Sequence, residues 1–297
     1  MNVVKLQSVL NNSSQFQNRL PILFRCFASK SVDEIQIDHL SGNQKGIAVF
    51  GLNRPEAKNA FGKKFVETFR DCIQLVRTDK SIRVLILRSL VPGVFCAGAD
   101  LKERAGMSNS EVKDFVCGLR SLTASVERLP MPVIAAIDGA ALGGGLELAL
   151  ACDLRVAASN VKLGLVESRL AILPGAGGTQ RLPRIIGPTL AKELLFTGRI
   201  FVGKQGKTYG IINHAPEQNE TKDAAYHRAL ALAEEILPAG PLALSLIKTA
   251  VDSGLQTDIQ TGYAIEEACY AQVVPTKDRI EGLLAFKEKR APVYTGE

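Results

Sequence analysis

Three consecutive glycines, Gly143-Gly144-Gly145, interrupt the most apolar segment of the chain and restrict what this segment can fold into. The segment runs from Val133 to Cys152 and contains two charged residues, Asp138 and Glu147. A membrane span is disfavoured, because each carboxylate at the centre of a bilayer costs roughly 2.5–3.5 kcal/mol, and we expect no membrane partner. We therefore predict a buried strand over residues 133–137, a turn over 138–145 and a buried helix over 146–151.

Short segments rich in β-branched residues alternate with segments of helical periodicity elsewhere in the chain. Further strands are predicted over residues 47–52, 84–87 and 154–157. One helix is indicated by apolar residues at three- and four-residue spacing, and these are Phe61, Phe65, Phe69, Ile73 and Val76. Another begins at the capping-box pattern Ser108-x-x-Glu111 and ends before Pro130. This alternation is typical of an α/β fold with buried, largely parallel strands, and from about Thr221 the pattern is wholly helical.

The glycine run before the helix predicts exposed backbone N–H groups. Such groups at the start of a helix can bind a phosphate or a developing oxyanion. The run lacks both G-x-G-x-x-G and the Lys-Ser/Thr of a P-loop, which disfavours nucleotide binding. A second donor is available in Phe95-Cys-Ala-Gly-Ala-Asp100, where the N–H of Ala99 could join that of Gly144 to form an oxyanion hole. The alternative is that the glycines only form a tight turn against a neighbouring backbone.

Glu147 and Glu167 are candidate acid–base residues. Glu147 lies in an otherwise apolar helical segment, and Glu167 follows the apolar residues Leu163-Gly-Leu-Val. Two carboxylates in apolar surroundings can have their pKa values moved apart, so that one acts as a base and the other as an acid. Taken singly, either glutamate could instead be half of a buried ion pair.

These segments together resemble the signatures of the enoyl-CoA hydratase/isomerase (crotonase) family. The resemblance rests on Phe95–Asp100, on Gly143-Gly-Gly-Leu-Glu147, and on Glu167 followed by Pro174-Gly-Ala-Gly-Gly-Thr-Gln-Arg-Leu182, in this order and spacing. Residues 53–60 are similar to the family's first CoA-contacting turn, and residues 277–290 to its terminal helix. The resemblance extends from about residue 36 to the end of the chain.

The resemblance implies a crotonase-type spiral of ββα units with a C-terminal helical trimerisation region, forming a trimer or a dimer of trimers. It implies hydration of a 2-enoyl-CoA, with Ala99 and Gly144 as oxyanion-hole donors, Glu147 as the main water activator and Glu167 as the proton donor. Contacts to CoA would come from Ala57, Asp100, Leu101, Lys102 and Lys289, the last from a neighbouring subunit. No metal or separate cofactor is expected, because coenzyme A enters as part of the substrate. Retention of both glutamates favours a hydratase over an isomerase.

Within the family, the sequence is similar to two mitochondrial groups. One comprises AU-specific RNA-binding methylglutaconyl-CoA hydratases, and the other comprises enoyl-CoA hydratase domain proteins. The RNA-binding group has lysines four residues apart on its first helix, whereas this chain has Lys63, Glu67 and Asp71. Acids at phosphate-contacting positions weaken RNA binding, so an RNA partner is disfavoured. Arg169, two residues after Glu167, is a candidate partner for an acidic acyl group or else a surface arginine.

The N-terminal 32 residues have the composition of a mitochondrial transit peptide. They contain Lys5, Arg19, Arg25 and Lys30, several serines and no acidic residue. Most of the net charge of +6 therefore belongs to this segment, and it does not indicate a nucleic-acid partner. We expect a matrix enzyme with a transit peptide over 1–32, a spiral core over 33–220 and a helical oligomerisation region over 221–297. The six scattered cysteines favour neither a disulfide framework nor a zinc site.

Overall fold

A computed structural model of the chain describes residues 34–297. The predicted leader lies outside the described residues. The strands are β1 (Ile35–His39), β2 (Ile47–Leu52), β3 (Val84–Ser89), β4 (Val94–Cys96), β5 (Val133–Ile137), β6 (Ala140–Leu142), β7 (Leu154–Ala157), β8 (Lys162–Gly164) and β9 (Phe201–Val202). The helices are α1 (Lys63–Thr78), α2 (Leu101–Arg104), α3 (Asn109–Glu127), α4 (Gly144–Leu150), α5 (Gly178–Ile186), α6 (Pro188–Thr197), α7 (Gly203–Thr208), α8 (Ala224–Ile236), α9 (Pro241–Gly254), α10 (Ile259–Val273) and α11 (Lys277–Glu288).

The larger sheet has five strands in the order β1-β2-β3-β5-β7. Strands β2, β3, β5 and β7 are parallel, and β1 pairs antiparallel with β2 at one edge. One face of this sheet packs on the main hydrophobic core and the other on α8, so β2 and β5 are buried throughout. Strands covered on both faces require nearly continuous apolar sequence, which is why the short β-branched segments identified them. The predicted α/β class is confirmed.

The smaller sheet has the order β4-β6-β8-β9, and it establishes the spiral. Each of the pairs β3–β4, β5–β6 and β7–β8 sends its first strand to the large sheet and its second to the small sheet, and each pair precedes a helix. This is the predicted repetition of ββα units. The predicted turn over 138–145 is wrong in detail, because β6 lies within it and α4 begins at Gly144. The three residues of β6 are too few to show a periodic sequence pattern. They form a strand because they pair with β4 and β8.

Helices α1 and α3 cover the main core. The capping box at Ser108 is present, with Ser108 and Glu111 each bonding the backbone of the other. The apolar stripe predicted for α1 is buried from Phe65 onward. Phe61, assigned to the same stripe, precedes the helix and instead pairs with Ala99 in an isolated β-bridge, because its backbone bonds the loop after β4.

The C-terminal part is helical as predicted. Helix α8 packs Ala225, Ala229 and Ala233 on the large sheet, and α9 packs on α10. Large apolar side chains on α9, α10 and α11 are exposed, with Ile247 60 % and Phe286 87 % accessible. Within residues 34–297, no single helix is both long and apolar enough to cross a membrane; α8 and α9 together meet the length and composition criteria but are bent by 109°.

Candidate active site

The two glycine-containing turns singled out in the sequence meet at the start of α4. A Cβ built on Gly98 would lie 2.9 Å from the carbonyl oxygen of Leu142 and 3.1 Å from the nitrogen of Gly144. Gly98 also has a φ of +92°, a conformation that other residues rarely adopt. Glycine is therefore required here, because only a residue without a side chain lets the loop after β4 lie against α4.

The N–H of Ala99 is directed away from its β-bridge partner. Phe61 donates to the carbonyl of Gly98 at 2.7 Å and accepts from the N–H of Asp100 at 2.9 Å. Ala99 lies between Gly98 and Asp100, the two residues that bond Phe61. In a bridge of this kind the N–H and C=O of the middle residue point away from the partner strand. The N–H of Gly144 belongs to the first turn of α4, where no intrahelical acceptor exists. The loop after β4 and the start of α4 thus provide the two predicted backbone donors at one place.

Glu147 is buried in the first turn of α4, with 3 % of its surface accessible. Its Oε1 accepts hydrogen bonds from the N–H of Ala176 at 2.8 Å and of Gly178 at 2.7 Å. Burial raises the pKa of Glu147, whereas the two N–H groups and the charges of Arg181 and Arg120 oppose this rise. The donors stabilise the carboxylate form, and one oxygen is left to accept a proton.

The loop that holds Glu147 is itself anchored by α3 and α5, through residues that the sequence analysis did not identify. The hydroxyl of Thr123 and the guanidinium of Arg181 both donate to the carbonyl of Ala176, at 2.7 Å and 3.0 Å. Arg181 also forms an ion pair with Glu127 at 2.7 Å, and Arg120 donates to the carbonyl of Gly175 at 3.1 Å. The contacts that α3 makes with this loop and with Arg181 join residues 53 to 55 positions apart, so no local pattern marks them.

Glu167 has a different environment, although it faces the same cavity. It begins a 3₁₀ turn over Glu167–Leu170 and is 8 % accessible. Within residues 34–297 its Oε2 is buried without a hydrogen-bond partner. Burial raises the pKa of Glu167 to about 7, and the negative charge of Glu147 adds to the rise. A carboxyl group with this pKa is largely protonated just below neutrality, which suits a proton donor.

The two glutamates and the two N–H donors line one cavity of about 90 Å³. A Cβ built on Gly143 would lie 3.2 Å from Oε1 of Glu167, so this carboxyl group lies directly beside the start of α4. A larger cleft of about 800 Å³ lies between α3, α5 and α9, but it contains neither glutamate. We assign the candidate site to the smaller cavity, because the two glutamates and the two backbone N–H groups predicted to form an oxyanion hole converge there.

Of the residues predicted to contact CoA, Leu101 is the one that lines the cavity. Asp100 begins α2 and forms an ion pair with Arg54 at 3.2 Å, Leu101 lines the cavity, and Lys102 is exposed beside it. Ala57 ends a 3₁₀ turn, Pro55–Ala57, near this loop. Lys289 is exposed just after α11 and is not among the residues that line the cavity.

Arg169 does not reach the cavity. Its Nε donates to the carbonyl of Thr197 at 3.2 Å, and its side chain packs against Gly198. The arginine that does line the cavity is Arg104, at the end of α2. Among residues 34–297, no group of three or more potential metal ligands is present.

Known proteins share both the sequence and the fold of this chain. Residues 42–297 match the family model described as enoyl-CoA hydratase/isomerase. The human mitochondrial methylglutaconyl-CoA hydratase is 57 % identical over 90 % of this chain and 79 % of its own length. The mouse mitochondrial enoyl-CoA hydratase domain-containing protein 2 is 56 % identical over 91 % of both chains. The crystal structure of an enoyl-CoA hydratase from Bacillus anthracis is 44 % identical and superposes with a TM-score of 0.84, over 89 % of this chain and all of its own. The chain therefore belongs to the enoyl-CoA hydratase/isomerase family.

Proposed function

We propose that the protein adds water across the double bond of a 2-enoyl-CoA thioester to give a 3-hydroxyacyl-CoA. The observation that carries this proposal is the contrast between two buried glutamates in one cavity. Glu147 accepts two backbone hydrogen bonds, whereas Oε2 of Glu167 accepts none within the described residues. Hydration needs a base for the water and an acid for the α-carbon, and this pair offers both beside an oxyanion hole.

The oxyanion hole polarises the substrate. The thioester oxygen binds between the N–H groups of Ala99 and Gly144, which withdraws electrons from the conjugated double bond and stabilises negative charge on that oxygen. Glu147 takes a proton from water as the oxygen adds to the β-carbon, and Glu167 gives its proton to the α-carbon. The atoms balance, since one water supplies both the hydroxyl group and a proton to the pair. The thioester is itself the electron sink, and the mechanism uses no metal or separate cofactor.

Isotope labelling tests this function. Crotonyl-CoA and 3-methylglutaconyl-CoA are each incubated with the protein in ¹⁸O-water, with Glu167→Gln as the control, and the products are analysed by mass spectrometry. We expect a 3-hydroxyacyl-CoA carrying ¹⁸O, and loss of this product in the variant. A shifted double bond without ¹⁸O would identify an isomerase instead. No product from either ester, despite measurable binding of the ester, would refute hydration of these substrates.

The pH dependence follows from the raised pKa of Glu167. We expect kcat/KM to fall as the pH rises through about 7, because Glu167 must be protonated to act as the donor. Between pH 4.5 and about pH 7 the carboxyl group of Glu167 keeps its proton in the folded state but loses it in the unfolded chain. The stability that this proton contributes is therefore lost as the pH rises through the folded-state pKa. Steady-state kinetics across this range test the assignment. The two carboxyl groups titrate as a coupled pair, so the profile reports the pair. A kcat/KM that stays constant through neutrality would contradict the role of Glu167 as proton donor.

The contacts to coenzyme A are part of the same proposal. Leu101 lines the cavity, and we assign the CoA moiety to this residue, to its neighbours Asp100 and Lys102 and to the backbone around Ala57. Lys289 would contact CoA from a neighbouring subunit. A homotrimer or dimer of trimers is supported by the exposed apolar residues of α9, α10 and α11, since a soluble chain normally covers such a surface by association.

The cellular role is proposed from the relatives and the leader. The human and mouse relatives described above are mitochondrial proteins, and the basic, acid-free N-terminal segment suits import to the matrix. We propose a role in fatty-acid or branched-chain amino-acid catabolism, with methylglutaconyl-CoA as the alternative substrate. RNA binding is not favoured, because Glu67 and Asp71 are exposed on α1 and Lys63 is paired with Glu111 at 3.1 Å.

A further inference from the structure

The acyl cavity is apolar apart from the two catalytic glutamates and one cationic side chain. Its apolar walls include Leu101, Val116, Leu119, Leu170, Ile172 and Leu173. Among its lining residues, all of which fall in the described part of the chain, Arg104 is the one with a positive charge. It is five residues after Ala99, at the end of α2, the helix that follows the loop after β4.

Arg104 has no protein partner for its charge. Within residues 34–297 its guanidinium forms neither an ion pair nor a hydrogen bond. The nearest acids in sequence are already engaged. Glu103 accepts from the backbone N–H of Lys63 at 3.1 and 3.2 Å, and Glu111 bonds Ser108 and Lys63.

Other partly buried arginines of this protein are paired, and the contrast is informative. Arg54 bonds Asp100, Arg181 bonds Glu127, and Arg155 donates to two backbone carbonyls. An unpaired guanidinium beside apolar walls is unfavourable, because burying it further under a neutral acyl chain removes water without replacing its hydrogen bonds. A ligand carboxylate would supply those bonds, and a guanidinium matches a carboxylate in a two-point geometry.

We propose that Arg104 is a specificity-determining residue that binds a second carboxylate on the acyl group. The preferred substrates are then 2-enoyl-CoA esters of dicarboxylic acids. Arg104 also offsets the negative charge of Glu147, which would otherwise repel an acidic acyl group. This inference rests on the proposed function, in that it assumes the acyl chain occupies the cavity between Glu167 and α2.

Matched substrates test the proposal by kinetics. Glutaconyl-CoA and pent-2-enoyl-CoA have five acyl carbons and differ in a terminal carboxylate in place of a methyl group. We expect Arg104→Met to lower kcat/KM for glutaconyl-CoA by roughly 10- to 100-fold, the usual effect of losing a charge-assisted hydrogen bond. The value for pent-2-enoyl-CoA should stay level or rise, and Arg104→Lys should retain part of the preference. Arg169→Met removes a charge outside the cavity and should leave the preference unchanged.

A binding measurement keeps this test independent of catalysis. Glutaryl-CoA and pentanoyl-CoA are saturated and cannot be hydrated, so calorimetric titration of the full chain compares their affinities without turnover. We expect tighter binding of glutaryl-CoA, abolished by Arg104→Met. If Arg104→Met lowers the affinity for both esters equally, the proposal is overturned and Arg104 contacts CoA itself. The proposal is supported if Arg104→Met loses the preference for the acidic ester while it still hydrates pent-2-enoyl-CoA. If the wild-type protein hydrates neither enoyl ester but still binds glutaryl-CoA more tightly than pentanoyl-CoA, only the proposed reaction is refuted.

Discussion

Replacing Glu147 by Gln is expected to lower kcat by roughly 10²–10⁴-fold, and Glu167→Gln should have a loss of the same order. Glutamine has the shape of glutamate but can neither accept nor deliver the required proton. The KM for crotonyl-CoA should change little, because neither carboxyl group is proposed to bind the ground state. Loss of the conjugated thioester absorbance measures the rate. Thermal unfolding of each variant shows whether the fold is retained.

The matched control is Glu193→Gln. Glu193 is on α6 and forms an exposed ion pair with Arg199 at 2.7 Å, outside the cavity. Its replacement should leave both kcat and stability unchanged, since exposed ion pairs contribute about 0–1 kcal/mol. A Glu147→Gln variant as active as the Glu193→Gln protein would show that another group activates the water.

Gly145→Ala is expected to cause the largest combined loss of stability and activity among single-methyl additions. A Cβ on Gly145 would lie 2.1 Å from the carbonyl oxygen of Cys96, a contact that backbone on both sides must move to relieve. Overpacking of this kind costs about 1–3 kcal/mol and sometimes more. Displacement of α4 also moves the N–H of Gly144 and the carboxylate of Glu147, and misplacement by about 1 Å can cost roughly 100-fold in rate.

Gly118→Ala is the control for this experiment, because Gly118 is also a helical glycine. A Cβ there would lie 3.6 Å from the end of the Arg70 side chain, an ordinary contact. Alanine should raise the free energy of unfolding by up to about 1 kcal/mol, through its higher helix propensity. Thermal unfolding and kcat are measured for both variants. Wild-type values for Gly145→Ala would refute the close packing of α4 on β4.

Glu147 and Glu167 differ in the hydrogen bonds that their carboxyl groups accept. Both lie in apolar sequence, which was sufficient to predict burial and an acid–base pair. The sequence did not indicate that Glu147 bonds the N–H groups of Ala176 and Gly178, which are 29 and 31 residues away. The proposed base and acid are therefore distinguished by a loop whose anchors, Thr123 and Arg181, belong to α3 and α5.

The arginine that lines the cavity illustrates the same limit. Arg169 is close to Glu167 in the sequence, but its 3₁₀ turn directs it towards Thr197. Arg104 is distant from Glu167 in the sequence and lines the same cavity. Proximity along the chain is a poor guide to the lining of a cavity, because adjacent residues in a turn point in different directions.

The sequence by itself determined the α/β class, the buried strands, the capped helices and the identity of the two glutamates and two glycine turns. These features depend on periodicity, on capping and on apolar context, all of which act over a few residues. Only the tertiary structure decided that residues 140–142 form a strand, that Gly98 lies against Gly144, and which charged groups face the cavity. Those outcomes depend on contacts between segments far apart in the chain, whose geometry is set by packing of the whole spiral.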